Sequence, residues 1–339
     1  MEQGIGTSKV ARILIVAASF VVIVAGMRAA SSILVPFLLS IFIALICAPP
    51  LFWMQRQGLP NTLAVLTILV GIIVIVLLLA TFIGTSLNDF TKAMPVYEKR
   101  LTDMTTAVVS WLKNLGVQIS SSVLTDYFDP GKAMNLAANT LAGVSGLLKN
   151  VFLILLTVIF ILLETSAFPH KLQSAFRDPG ESMGRFRGFI ESFNRYLALK
   201  TLFSLATGVV IGIWLAVLGV DFALLWGLLA FLLNFVPNIG SIIAAIPAIL
   251  LALIQLGWGS ALLSSLGYIV VNVVVGSILE PRLMGHRLGL STLVVFLSLV
   301  FWGWVLGPVG MVLSVPLTMI VKIALESNDD TRWIAVLLG

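Results

Sequence analysis

The sequence predicts an all-α polytopic membrane protein with six to ten apolar crossings, two helix pairs broken by Pro and Gly, and an amphipathic helical region outside the membrane. Three observations carry that reading. Of 339 residues, 59% are hydrophobic and 10% charged, against roughly a quarter charged in an average soluble domain, and mean hydropathy is +1.10. Charges are missing from residues 29–55, 57–88, 150–163 and 288–321, and residues 201–279 hold only Asp221; all but 150–163 exceed the ~20 residues that span a bilayer. The apolar stretches of the C-terminal half are punctuated by Pro, Gly and Asn.

Composition also excludes functions. A single cysteine, Cys47, rules out an intrachain disulfide and a cysteine metal site. The net charge of +5 would suggest nucleic acid in a soluble protein, but in a membrane protein Lys and Arg chiefly mark cytoplasmic loops. No nucleic-acid partner, metal or cofactor is therefore expected.

In chain order, residues 1–85 hold three apolar segments, about 13–27, 32–54 and 62–84, the first read as an uncleaved span. Pro36 and Pro49-Pro50 predict a kink or end in the second, and Gln55 to Pro60 supplies the turn to the third. Residues 86–150 are polar. Leu87, Phe90, Met94, Tyr97, Leu101, Met104, Val108, Leu112 and Leu115 recur at spacings of three or four, an amphipathic stripe that Pro95 is expected to interrupt. The stripe lies either against its own chain or on a neighbouring subunit. Residues 151–200 hold a fourth span and a second polar stretch, where six basic residues face three acidic ones over 165–200. That excess places the stretch in the cytoplasm, residues 86–150 outside, and the N-terminus, with Lys9 and Arg12, inside.

Residues 201–325 form the expected transport core, followed by a short cytoplasmic tail, 326–339. After a span at 201–219, apolar helices at 222–236 and 241–256 are split by Val236 to Ser241, with Pro247 further on. After another span ending at Glu280-Pro281-Arg282, segments 293–306 and 309–323 are split by Gly307-Pro308-Val309-Gly310, with Pro316 further on. Each pair is either two full crossings or one re-entrant hairpin. Broken helices at membrane depth occur where they are buried in protein or line a watery cavity, and paired interruptions are the best sequence pointer to a transporter's solute site. Pro237, Gly240, Pro247, Gly307, Pro308, Gly310 and Pro316 are thus the candidate breaks and hinges. Glu280 and Arg282 are candidates for a structural ion pair or gate.

Catalytic machinery is not expected. Gly143-Val144-Ser145-Gly146 has the outline of an intramembrane protease motif, but the only histidines, His170 and His286, fall in polar loops. Gly131-Lys132 lacks the rest of a Walker A loop.

The strings WGLLAFLLNFVPNIGSIIAAIPAI (226–249) and LEPRLMGHRLGLSTLVVFLSLVFWGWVLGPVGMVLSVPLT (279–318) resemble the autoinducer-2 exporter family of bacterial inner-membrane transporters, and the similarity extends over the whole chain. The resemblance implies export of autoinducer-2 by a homo-oligomer, a pentamer, set among membrane lipid; either topology of the broken pairs places the C-terminus, with Lys322 and Arg332, in the cytoplasm beside the N-terminus. The resemblance leaves sodium or lithium/proton antiport as the alternative; a third reading, a scaffold binding a partner through 86–150, needs no transport. Autoinducer-2 is polyhydroxylated and uncharged, so its site needs donors and acceptors. Asn234, Asn238, Ser241 and Asn272 could supply them, with Trp302 as a wall. Asn and Ser also join helices without any ligand. An antiporter would need carboxylates deep in the membrane, and in this half only Asp221 and Glu280 are eligible.

Overall fold

The computed structural model describes residues 9–114, 150–165, 179–237, 239–284, 290–326 and 331–339. Asn238, both histidines, the Gly143 to Gly146 motif and most of the 86–150 region beyond Asn114 lie outside the described residues. Among those described, every regular element is helical. Six helical stretches are long and apolar enough to cross a membrane: Ser31–Arg56, Asn61–Ala107, Phe193–Leu218, Ile239–Leu256, Trp258–Leu279 and Thr292–Val312. Shorter apolar helices at Leu14–Ala29, Val151–Thr165 and Ala223–Leu233 accompany them.

The first three helices are α1 (Lys9–Ala29), α2 (Ser31–Arg56) and α3 (Asn61–Asn114). Pro36, Pro49 and Pro50 lie inside α2 without ending it. Neighbours hold the chain there: α4 (Val151–Thr165) packs along α2, where the buried Ser40 hydroxyl is 2.7 Å from the Pro36 carbonyl and 3.2 Å from that of Ile154.

α3 is 54 residues long, which at 1.5 Å per residue is about 80 Å and far exceeds the ~30 Å hydrocarbon core. Its second half projects beyond the span and runs unbroken through Pro95, contrary to the expected interruption. Tertiary contact outweighs the lost hydrogen bond, because Phe90 and Tyr97, on either side of the proline, are both buried in one cluster with Trp226, Leu251 and Tyr268. Phe90 meets the rings of Phe222 and Trp226 edge-on at 5.7 and 6.0 Å, and the Tyr97 hydroxyl donates to Asp221 at 2.7 Å. Through Leu101, the amphipathic arm therefore lies against its own chain. Phe90→Ala is expected to cost about 3–5 kcal/mol, seen as a lower melting temperature in detergent.

α5 (Pro179–Leu218) leads to the first broken pair, α6 (Ala223–Leu233) and α7 (Ile239–Leu256). The outer ends of the pair sit together: the Gln255 side chain accepts from the Asp221 amide at 2.9 Å and donates to the Gly219 carbonyl at 3.1 Å. α6 has 11 residues, about 16 Å, or half the apolar thickness. The chain turns back on itself between this short helix and α7, which is itself long and apolar enough to cross. At its tip Gly240 is required by space, since a β-carbon there would run into the Leu233 carbonyl. α8 (Trp258–Val271) then returns alongside α7, continues as a π-helical segment, Asn272–Leu279, and ends in the short α9 (Glu280–Met284).

The second pair is α10 (Thr292–Val312) and α11 (Ser314–Glu326), followed by α12 (Arg332–Leu337). The break falls on Gly307, with φ 70° and ψ −154°, a conformation open to glycine. Helix resumes at Pro308, whose fixed φ and missing N–H suit a first helical position. The break is thus narrower than the four residues expected. A second irregularity at Leu313 follows from Pro316, which cannot donate to the carbonyl of Val312. Gly310 repeats the role of Gly240, because a β-carbon there would meet the Trp302 carbonyl.

α1 runs parallel to α10: Phe20 stacks on Phe301 at 6.3 Å, Val24 packs with Trp302 and Val305, and the Arg28 guanidinium lies 4.5 Å over the Trp304 ring. The Leu338 carbonyl accepts from the Ser291 amide, so the C-terminus sits where α10 begins and where α1 begins. α8 and its continuation carry the chain from the Asp221 end to Glu280 before α10 starts, so the two hairpins open toward opposite ends of the molecule.

Candidate functional site

A buried polar strip runs along α5 beside the tip of the first hairpin. Lys200, Ser204 and Thr207 are spaced by four and three residues and so share one face. Their relative exposures are 4%, 0% and 5%. At the inner end, Lys200 Nζ is 2.7 Å from Glu280 Oε1, the first residue beyond the π-helical segment. One turn further, Asn234 Nδ2 donates to Ser204 Oγ at 3.0 Å. Among the described residues, the hydroxyl of Thr207 has no hydrogen-bond partner. Next to it the helices touch backbone to backbone: a β-carbon on Gly208 would lie 2.7 Å from the Gly227 carbonyl oxygen, and the converse holds for Gly227. Small residues allow such contact between membrane helices.

The strip holds hydrogen-bonding groups of the kind a polar solute would need. It offers an amide, two hydroxyls and, at its inner end, a charge pair that neutralises itself. An unsatisfied buried hydroxyl is costly in a packed interior, and a partner hydroxyl from a polar solute would remove that cost.

Of the residues proposed from sequence, Asn234 is on the strip, and Ser241 is half-buried in the first turn of α7. Asn272 begins the π-helical segment, half-buried, with Oδ1 3.2 Å from where a β-carbon on Gly276 would sit. Trp302 belongs to the other hairpin, where its indole N–H donates to Thr318 Oγ1 at 3.0 Å. There it walls an apolar cavity of about 480 Å³ with Phe20, Val24 and Phe301. Pro237 is half-buried at the first turn, and Pro247 and Pro316 are buried inside α7 and α11. Glu280 is in an ion pair whose partner is Lys200, whereas Arg282 is exposed. Sequence reasoning missed Lys200, Ser204 and Thr207. A signal existed for the first: Lys200 and Glu280 are the charges that bracket residues 201–279.

The sequence profile of the AI-2E family transporters matches residues 17–328. The chain belongs to the AI-2E transporter family. Three relatives align with it over nearly its whole length. The AI-2 transport protein TqsA of Escherichia coli is 46% identical over 339 residues, covering 100% of this chain and 98% of its own length. A putative transport protein of Haemophilus influenzae is 43% identical over 334 residues, 97% of this chain and 96% of the relative. The putative transport protein YhhT of Escherichia coli is 40% identical over 327 residues, 96% of this chain and 94% of its own. As an AI-2E protein the chain is a multi-pass membrane transporter.

Proposed function

We propose that this protein exports autoinducer-2, or a closely similar polar neutral solute, across a bacterial inner membrane by alternating access without ATP hydrolysis. The observation that carries the reading is the end-to-end identity of 46% with a relative named for AI-2 transport. The site chemistry supports it. Asn234, Ser204 and Thr207 present hydrogen-bonding groups suited to a polyhydroxylated solute, and the two carboxylates that an antiporter could use are both engaged. Glu280 is held by Lys200 and Asp221 by Tyr97, each at 2.7 Å. Hairpins opening to opposite ends suit a site exposed alternately to each side. In this reading the protein works as a homo-oligomer, a pentamer embedded in lipid, with both termini in the cytoplasm.

Reconstitution into liposomes tests the proposal by following autoinducer-2 flux and internal pH together. Signal flux without cation-dependent pH change is expected. Cation-dependent pH change without signal flux would move the protein to the antiporter reading, and neither would favour the scaffold. Within the site, Asn234→Ala removes one hydrogen-bonding group of about 1 kcal/mol, so flux should fall roughly fivefold with assembly unchanged.

A further inference from the structure

We infer that the Lys200–Glu280 pair and the π-helical segment before it form a latch at the termini-bearing end of the polar strip, opened when that segment converts to α-helix. The inference rests on the transport reading for what passes the latch, and on the geometry alone for how the latch works.

The pair closes the strip. Lys200 lies one helical turn from Ser204 and ties α5 to the end of the α8 strand of chain, 80 residues away in sequence. The segment carrying Glu280 is the loose part of its element. Upstream, α8 is anchored: Ala261, Ser264, Tyr268 and Val271 are buried, and the Leu263 carbonyl accepts from the Trp214 indole at 3.0 Å. Asn272–Leu279 has no buried residue, so few side-chain contacts oppose its rearrangement.

A π-helical turn is an α-helix that has absorbed one extra residue. Resolving it to α with α8 fixed turns everything downstream by about 100° around the axis. Glu280 is the first residue downstream, so its carboxylate swings off Lys200, and Leu279 takes its place facing the ammonium. Opening a buried pair is costly unless both charges reach water or new partners. Here both lie at the margins of the charge-free run, next to the polar stretch of α5 and the exposed Arg282 on α9. Long side chains at such positions can extend to the aqueous edge.

Two variants test this in a Cys47→Ala, Thr207→Cys background, scored by the rate at which a membrane-impermeant maleimide modifies position 207 from the termini-bearing side. Lys200→Met with Glu280→Met removes the pair without leaving a lone charge, and labelling should accelerate at least tenfold. Deleting Val274 removes the extra residue, converting the segment to α while keeping Glu280 opposite Lys200. Labelling should then fall below the parent rate, and the same deletion in the otherwise native chain should stop flux while the assembly elutes unchanged. Labelling unaffected by the double substitution, or native flux in the deletion chain, would overturn the latch. If the deletion chain does not assemble, the double substitution alone decides. Labelling needs no autoinducer-2, so if the native chain carries none of it while the labelling background still responds to the double substitution, the latch is retained and the transport reading is lost.

Discussion

Gly240→Ala and Gly310→Ala are each expected to abolish transport and to cost roughly 3 kcal/mol or more of stability. At both positions the added β-carbon would collide with backbone, the carbonyl of Leu233 in one case and of Trp302 in the other. A flexible side chain could move aside, but a helical carbonyl cannot move without opening the hairpin. The comparison is internal, because Gly71 and Gly84 have nothing within 4 Å of a built β-carbon. Alanine there should be neutral or slightly stabilising, since it also lowers the entropy cost of helix formation. Thermal melting and elution of the four purified variants would separate the two classes.

The second large effect is at the ion pair. Lys200→Met leaves the Glu280 carboxylate with 19% of its side chain exposed and no counter-charge; Glu280→Met strands an ammonium whose side chain is 5% exposed. Removing one partner of a buried pair typically costs about 3–5 kcal/mol, whereas replacing both with apolar residues of similar volume is often neutral or stabilising. The double variant should therefore melt near the parent temperature while each single variant melts well below it. A full double-mutant cycle measures that coupling. Additive losses would mean that the two charges do not depend on each other for stability.

The breaks were legible in the sequence because Pro237, Gly240, Gly307 and Pro308 carry local backbone chemistry, which acts wherever the chain is placed. Pro95 shows the limit of that reasoning. Its local tendency to interrupt is outweighed by Phe90 and Tyr97, whose shared packing surface comes from α6 and α7, more than a hundred residues away. Lys200 was obscured for a related reason. A charge tally counts it with the polar stretch before it, and only tertiary placement brings it to Glu280. Ser204 and Thr207 look like ordinary helix-joining groups until Asn234 is seen to reach the first and, among the described residues, none to reach the second. The π-helical turn has no signature in Asn272 to Leu279, a run that reads equally well as α-helix. Asn234 could be chosen because it adjoins a break. Trp302 was grouped with it by chemistry alone, and its place in the second hairpin follows from contacts with α1 and Thr318 that no local pattern encodes.

Binding of a neutral polar solute to the α5 strip at the tip of the first hairpin is the core of the proposed function. It is tested most directly by the maleimide labelling rate of Ser204→Cys in a Cys47→Ala chain, measured with and without autoinducer-2. Autoinducer-2 is expected to slow labelling several-fold in a concentration-dependent manner, while sodium and lithium at matched ionic strength leave it unchanged. A rate indifferent to autoinducer-2, or one slowed by the cations instead, would contradict it.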